Sequence, residues 1–177
     1  MYRECDGSGL IHVIDENGYE YMMMCKCREY KELLRKIKTA RIPDEYLNKK
    51  IQDFDTKIYQ INDNGRVAQY AKRIATRYVK QYPELEDMGK GLYFYSNVKG
   101  SGKTLLSIAI TNELIIKYQI KPMYISVVNM LNEMKHSFSI KDPNRNFYNL
   151  MESFKQAPVL LMDDLGVEKT TDWSEEV

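Results

Sequence analysis

Residues 91–104 read Gly-Leu-Tyr-Phe-Tyr-Ser-Asn-Val-Lys-Gly-Ser-Gly-Lys-Thr, and this stretch decides the fold. Leu92 to Tyr95 is an apolar, aromatic-rich run that predicts a β-strand, and the residues after Lys103 and Thr104 have helical spacing. A strand, a glycine-bearing loop and a helix that starts at Lys-Thr make up the layout of a phosphate-binding loop. The sequence therefore predicts a polyphosphate site at this loop.

Each residue type in the loop suits one contact with Mg-ATP. Gly100 and Gly102 let the backbone turn so that its N–H groups point inward at phosphates. Lys103 would bring a mobile positive charge to the β- and γ-phosphates, and the Thr104 hydroxyl would be a magnesium ligand. The predicted ATP-binding residues are Asn97, Val98, Lys99, Gly100, Ser101, Gly102, Lys103, Thr104 and Leu105.

Asn97 stands where the usual phosphate-loop pattern has its first glycine. Asparagine is one of the few other residues that tolerate a left-handed backbone, so we expect this departure to be mild. The alternative is a plain strand–turn–helix joint with a chance Gly-Lys-Thr. The strand and helix predicted on either side favour the phosphate interpretation.

A second chemical signature lies at residues 159–166, Val-Leu-Leu-Met-Asp-Asp-Leu-Gly. Its apolar run predicts a strand buried on both faces of a parallel sheet, which ends in Asp163 and Asp164 at the edge where ligands bind. Asp163 would hold Mg²⁺, directly or through water, and Asp164 would orient and help deprotonate the water that attacks the γ-phosphate. Lys103, Asp163 and Asp164 are thus the predicted catalytic residues. The signature is weak alone, but about 60 residues after a phosphate loop each motif supports the other.

Composition and charge limit the classes of protein to be considered. The 177 residues are 44% hydrophobic and 29% charged with a net charge of +1, a balance typical of soluble domains. Met1 to Leu10 is too polar for a signal peptide, and no apolar run approaches the roughly 20 residues that span a membrane. We expect a cytoplasmic protein without a membrane partner. Residues 26–50 hold nine Lys and Arg against four acids, a positive face compatible with a polyanion or with solvent alone.

The first 40 residues predict a cysteine-bearing hairpin. Leu10 to Ile14 and Tyr19 to Met24 have β character around an Asp-Glu-Asn-Gly turn. The hairpin would return Cys25 and Cys27 to Cys5, so that three thiolates could bind one zinc ion. A fourth ligand is open: His12 is a candidate, and Tyr2 stands where a Cys-x-x-Cys knuckle would have its first cysteine. The alternative is three reduced cysteines without metal, because their odd number argues against disulfides.

Helical and strand patterns account for most of the remaining residues. Arg28 to Lys38 is a helix with a basic outer face, and Leu105 to Tyr118 continues the phosphate-loop helix. A strand is expected at 123–128, followed by two helices across 129–156. Residues 66–82 predict an amphipathic helix with a basic outer face and an apolar stripe of Val67, Tyr70, Ala71, Ile74, Tyr78 and Tyr82.

With these motifs the chain resembles the bacterial and phage helicase loaders of the DnaC/DnaI kind within the AAA+ class, and transposition helper ATPases of the IstB kind are close relatives. The resemblance extends to the segment from Ile42 to Tyr46 with Phe54, and to Glu168 through Trp173. It implies an α/β fold: a P-loop parallel sheet of the AAA+ type with flanking helices over 41–177, after an N-terminal cysteine module and basic connector helix over 1–40. It further implies a DNA-replication protein that uses Mg-ATP as a switch while delivering a replicative hexameric helicase to single-stranded DNA.

The resemblance also implies parts that this sequence does not supply. A fourth strand should lie between the phosphate-loop strand and the Asp-Asp strand, yet Thr170 to Val177 has the pattern of a helix start. Sensor residues and an arginine finger would lie beyond Val177. We therefore expect an incomplete ATPase domain that binds ATP better than it hydrolyses it, and a homo-oligomer at full length. Whether the chain is itself an ATPase stays open.

In this family the two-helix stretch at 129–156 meets single-stranded DNA. The resemblance assigns DNA contacts to Lys135, His136, Phe138 and Arg145, with Tyr148 beside them. Phe138 and Tyr148 could equally be core residues. The alternatives to a loader are an IstB-like transposition helper ATPase and a non-catalytic metal-knuckle adaptor with a vestigial ATPase half.

Overall fold

The computed structural model describes residues 5–59, 64–138 and 143–166, which form a mixed α/β structure. Its elements are β1 (Leu10–Ile14), β2 (Glu20–Met24), α1 (Cys27–Thr39), α2 (Asn64–Lys80), α3 (Tyr82–Asp87), α4 (Lys103–Tyr118), β3 (Met123–Ser126), α5 (Val127–Phe138), α6 (Pro143–Lys155) and β4 (Leu160–Asp163). Three short 3-10 helices, Asp44–Tyr46, Ile51–Asp53 and Thr56–Tyr59, lie between α1 and α2.

The predicted N-terminal hairpin is confirmed. β1 and β2 pair antiparallel, with Leu10 opposite Met24 at the open end. The turn is closed by the Asp15 carboxylate, whose Oδ1 accepts hydrogen bonds of 2.9 Å from the backbone N–H groups of Asn17 and Tyr19. An aspartate side chain that binds the backbone ahead of it favours a tight turn, which sets the register of the pair.

The helix that follows the hairpin packs onto the phosphate-loop helix. Ile37 and Ala40, at the end of α1, are buried together with Ile108 and Ile115 of α4. The Ala40 carbonyl also accepts a hydrogen bond of 2.7 Å from the Tyr124 N–H in β3. The division of the chain at residue 40 stays a prediction, and these contacts join the two sides of it.

Helix α4 is the centre of the core. Leu106, Ile110, Leu114 and Ile115 are all buried. Asn112 is buried as well, and its Nδ2 donates to the Tyr46 and Lys49 carbonyls at 2.8 and 2.9 Å. Across the described ranges no helix, α4 included, is both long enough and apolar enough to cross a membrane.

The apolar stripe predicted for the helix at 66–82 is buried only in part. Val67 and Tyr70 are exposed, whereas Ala68, Ala75 and Val79 are the buried residues of this helix. Of the predicted stripe, Ala71 and Tyr78 pack against the core and Tyr82 is buried. Small side chains such as Ala75 let the α2 backbone approach α4 closely. The helix ends at Lys80 rather than Tyr82, which begins α3 instead.

Two strands form the parallel sheet of the described residues. β3 pairs with β4 in a register that places Met123 opposite Leu160 and Ser126 opposite Asp163. β3 is shorter than predicted because the Ser126 hydroxyl accepts the Asn129 N–H at 3.3 Å. This contact caps α5, which begins at Val127 despite its β-branched start.

The strand predicted at 92–95 is wrong, and so is the burial predicted for the strand that ends at Asp163, although that strand itself is present as β4. The run from Leu92 to Tyr95 belongs to neither two-stranded sheet of the described residues, and Tyr93 and Tyr95 are exposed. A β-prone run becomes a strand only when a neighbour binds its backbone, and no described strand lies beside it. β4 was predicted to be buried on both faces, but Met162 is 42% exposed. The helix start predicted at 170–177 lies outside the described residues.

Candidate nucleotide site

The two predicted signatures meet at the edge of the parallel sheet. Thr104 lies in the first turn of α4, and Asp163 is the last residue of β4. The Thr104 Oγ1 donates to Asp163 Oδ1 at 3.1 Å across a sequence separation of 59 residues. The fold thus brings together the hydroxyl and the carboxylate that the sequence assigned to one magnesium ion.

A third residue holds the same carboxylate. The Tyr124 hydroxyl, on β3, donates to the other oxygen of Asp163 at 3.2 Å. Burial, and then the nearby Asp163 charge, raise the pKa of Tyr124 to about 12, so the phenol keeps its proton and stays a donor. Each carboxylate oxygen therefore accepts one hydroxyl, which fixes the orientation of Asp163. Sequence reasoning missed Tyr124, which is the second residue of the strand predicted at 123–128 and carries no local signal for this contact.

The loop backbone supports the phosphate interpretation. Gly100 and Gly102 both have left-handed backbones, with φ of 71° and 79°. Asn97 is not among the residues with positive φ, so the left-handed tolerance expected of it is not needed. An asparagine at this position therefore carries no backbone strain.

The Lys103 ammonium lies over the loop that precedes it. Its Nζ is 3.3 Å from the Ser96 carbonyl, the Val98 carbonyl and the Ser101 hydroxyl. All three acceptors are neutral and the bonds are long, so a polyphosphate would compete with them easily.

The other predicted loop and catalytic residues lie around this centre. Val98 and Lys99 are exposed, whereas Leu105 packs against the core. Asp164 is exposed and has a φ of 56°, a left-handed conformation that aspartate tolerates and that ends the strand. The catalytic and ATP-binding roles of these residues stay predictions.

Two aromatic residues that the sequence did not single out for this site contact the loop. The Tyr59 hydroxyl donates to the Ser101 carbonyl at 3.1 Å, and the Tyr59 ring stacks on Phe54 at a centroid distance of 5.5 Å. No local pattern reveals a contact between residues 42 positions apart.

The structure shows the positions of some of the residues predicted to contact DNA. Lys135 and His136 are exposed near the end of α5. Tyr148 is exposed on α6, so it is not a core residue. Phe138 and Arg145 lie in the same two helices, but their side chains lie outside the described residues. The DNA role of this group stays a prediction.

The three cysteines converge as predicted. The sulfur atoms of Cys5, Cys25 and Cys27 all lie within 4.8 Å of one another, and Cys25 is buried. Cys5 and Cys27 sulfurs are 3.2 Å apart; this shared hydrogen bond is the main cause that lowers the pKa of Cys5 to about 7 and raises that of Cys27 to about 11. Three sulfur ligands at this spacing suit a soft or borderline metal ion.

His12 is not part of this cluster. Its ring is exposed on β1, where Nε2 lies 3.1 Å from Glu20 Oε2. The structure thus places the candidate fourth ligand His12 away from the three sulfur atoms, with its ring bound to Glu20 on the paired strand. Tyr2 lies outside the described residues.

Comparison with known proteins identifies relatives that match much of the chain. The chain is 31% identical over 160 residues to the replicative helicase loader DnaI of Bacillus subtilis, covering 90% of this chain and 47% of that protein. The chain is related to the DnaI/DnaC-type helicase loaders. It is 26% identical over 106 residues to the replicative helicase loader DnaC of Escherichia coli K12, covering 60% of this chain and 42% of DnaC.

A third relative comes from a phage-like element. The chain is 26% identical over 167 residues to protein XkdC of the element PBSX in Bacillus subtilis, covering 92% of this chain and 59% of XkdC. The chain thus spans about half the length of the curated relatives it matches. No protein-family model and no solved structure matches it.

Proposed function

We propose that this chain binds Mg-ATP at the loop 97–105, in a P-loop domain of the AAA+ type. The observation that carries the proposal is the hydrogen bond of 3.1 Å between Thr104 and Asp163, since it joins the two motifs at the carboxyl end of a parallel strand. The donor set fits the ion, because a threonine hydroxyl and a carboxylate are the hard oxygen ligands that Mg²⁺ takes.

Each residue of the site has its own role in the proposed binding of Mg-ATP. Thr104 and Asp163 would hold Mg²⁺, which would supply positive charge that stabilises the phosphates. Lys103 would exchange its three neutral acceptors for phosphate oxygens, and the N–H groups of the loop would bind the same oxygens. Asp164, exposed just beyond the strand, would orient and help deprotonate a water molecule.

A thermal unfolding experiment with Mg-ATP tests this site. A ligand at a hundred times its Kd adds about 2.7 kcal/mol of stability, which should raise the unfolding temperature clearly. Lys103→Ala should abolish the shift, whereas Lys121→Ala, an exposed lysine on the connection to β3, should keep it. An unchanged unfolding temperature of the unsubstituted chain would contradict the proposal and favour the metal-knuckle adaptor with a vestigial ATPase half.

Hydrolysis is expected to be slower than binding. In the proposed mechanism a neighbouring subunit of a homo-oligomer would supply an arginine to the γ-phosphate. The isolated chain should then bind ATP without rapid turnover. Fast phosphate release that Lys103→Ala abolishes would show that the chain is a self-sufficient ATPase.

We further propose that ATP binding serves helicase loading in the cytoplasm. DnaI and DnaC are named as replicative helicase loaders, and the similarity to DnaI covers 90% of this chain. In this proposal a replicative hexameric helicase is the partner, and Lys135, His136, Phe138 and Arg145 contact the single-stranded DNA that receives it.

Binding assays with purified partners test this role. The chain should bind a purified replicative helicase more tightly with Mg-ATP than without nucleotide. A purified transposase of an IstB-type system serves as the comparison. Binding to the transposase but not to the helicase would replace the loader by a transposition helper ATPase.

The cysteine cluster favours a second proposal, a structural zinc site that holds the N-terminal hairpin to α1. The three sulfur atoms within 4.8 Å supply most of a tetrahedral shell. Protein purified without chelator should carry about one equivalent of zinc by elemental analysis, in keeping with the single ion that such a shell holds. Less than about half an equivalent would count against the site.

A further inference from the structure

We propose that Phe54 and Tyr59, an aromatic clamp, position the phosphate-binding loop for its nucleotide. The inference rests on the proposed nucleotide site and adds to it residues from a segment that carries no phosphate-binding motif. They are positioning residues, because they contact the loop rather than the reacting atoms.

The Tyr59 hydroxyl sets the direction of one peptide group in the loop. It donates to the Ser101 carbonyl at 3.1 Å. In a planar trans peptide the N–H of the next residue points opposite to that carbonyl, so the Gly102 N–H points away from Tyr59. The hydrogen bond thereby directs this N–H to the side of the loop where a phosphate is free to bind.

The clamp also fills the space behind Gly102. A Cβ added at this glycine would lie 2.7 Å from Phe54 Cε2 and 2.8 Å from the Tyr59 hydroxyl oxygen. By contrast, a Cβ added at Gly100 would meet nothing within 4 Å. The loop is thus pressed against the aromatic pair at one residue and open at the other.

The aromatic pair is itself held in place. The two rings stack at 5.5 Å, and Phe54 is buried. Lys72 of α2 donates to the Phe54 carbonyl at 2.7 Å, and the Glu113 carboxylate of α4 accepts the Ile51 N–H at 2.9 Å. Burial, with a smaller contribution from Asp55, raises the pKa of Tyr59, so its hydroxyl keeps the proton that it donates.

A loop held in this way is already ordered before the nucleotide binds. Ordering a flexible loop at the moment of binding costs affinity, and a pre-organised loop avoids that cost. A neutral hydrogen bond contributes about 0.5–1.5 kcal/mol, so loss of the Tyr59 hydroxyl should weaken Mg-ATP binding about 2–12-fold.

Calorimetric titration with Mg-ATP tests the clamp, at a temperature where each variant is fully folded by circular dichroism. Tyr59→Phe keeps the stacked ring and removes the hydroxyl, and Phe54→Leu keeps an apolar side chain and removes the stack. Tyr19→Phe, an exposed tyrosine in the hairpin turn, is the matched control. We expect weaker binding by Tyr59→Phe and Phe54→Leu, and unchanged binding by Tyr19→Phe.

The possible outcomes separate this inference from the proposed function. If the unsubstituted chain does not bind Mg-ATP, both the proposed nucleotide site and the aromatic clamp are contradicted. If it binds, and both Tyr59→Phe and Phe54→Leu bind within twofold of it while unfolding at lower urea concentration, the aromatic pair is only structural and the clamp alone is overturned. Weakened binding by folded Tyr59→Phe supports the clamp, and if that variant does not fold, the titration of Phe54→Leu decides.

Discussion

Two glycines in one loop should respond very differently to the same substitution. Gly100 and Gly102 have nearly the same left-handed backbone, with φ of 71° and 79°. Their surroundings differ, because a Cβ meets open space at Gly100 but lies 2.7 Å from the buried ring of Phe54 at Gly102. Gly100→Ala therefore measures the backbone alone, and Gly102→Ala measures the backbone together with the aromatic contact.

The expected costs follow from these two contributions. An L-residue in the left-handed region costs about 1–2 kcal/mol, which applies to both variants. Overpacking a filled space costs about 1–3 kcal/mol more, and Gly102→Ala alone incurs it because Phe54 is buried and cannot move aside. We expect the free energy of unfolding to fall by about 1–2 kcal/mol for Gly100→Ala and about 2–5 kcal/mol for Gly102→Ala.

Urea unfolding followed by circular dichroism measures both values, provided that the denaturant dependence stays the same. Phe54→Leu removes the ring edge that the new methyl group meets, so in this background the extra cost of Gly102→Ala should shrink. Such a double-mutant cycle isolates the contact from the backbone strain. Equal destabilisation by Gly100→Ala and Gly102→Ala, or an extra cost that Phe54→Leu leaves unchanged, would refute the reasoning.

Three further predictions concern the metal ligands and their neighbours. Asp163→Asn should remove most of the Mg²⁺ dependence of ATP binding, as titrations with and without Mg²⁺ would show; binding that keeps its full Mg²⁺ dependence would count against Asp163 as a ligand. Tyr124→Phe should lower stability by about 1–2 kcal/mol, since a hydrogen bond to a half-buried carboxylate is lost. Because the pKa of Tyr124 is raised to about 12, this residue stabilises the fold fully below its unfolded pKa near 10 and less as the pH rises toward 12. Burial also raises the pKa of Tyr59, Tyr78 and Tyr82, so an ultraviolet titration of Tyr124→Phe should show one late-ionising tyrosine fewer than the unsubstituted chain. Cys25→Ser should bring the zinc content below about half an equivalent and lower the unfolding temperature, and zinc retained in full would exclude the cluster as the site.

Short-range patterns predicted the elements that depend on neighbouring residues. The hairpin follows from a turn signal between two β-prone runs, and α4 follows from apolar spacing behind the glycine loop. The pairing of Thr104 with Asp163 was also predictable, because both motifs imply the same magnesium ion. In each case a short motif is enough to predict the structure that its residues form.

Contacts between distant segments could not be predicted in this way. Leu92 to Tyr95 has strand composition, but the described residues offer it no strand to pair with. The buried face of α2 depends on how closely α4 approaches, and this favours Ala75 over the larger Tyr70. The missing strand and the buried face of α2 both depend on which distant segment packs against them. The periodicity of apolar residues within one segment does not indicate that neighbour.

The sequence by itself determined the chemistry of the candidate site: a glycine loop that turns left-handed, a lysine and a threonine after it, and an aspartate at a strand end. Only the tertiary structure decided that Tyr124 orients that aspartate and that Phe54 and Tyr59 press on Gly102. The physical reason is the sequence separation of the residues involved. A motif states which atoms can bind a phosphate or a metal, whereas the residues that hold those atoms in place come from any segment that packing brings within a few ångströms.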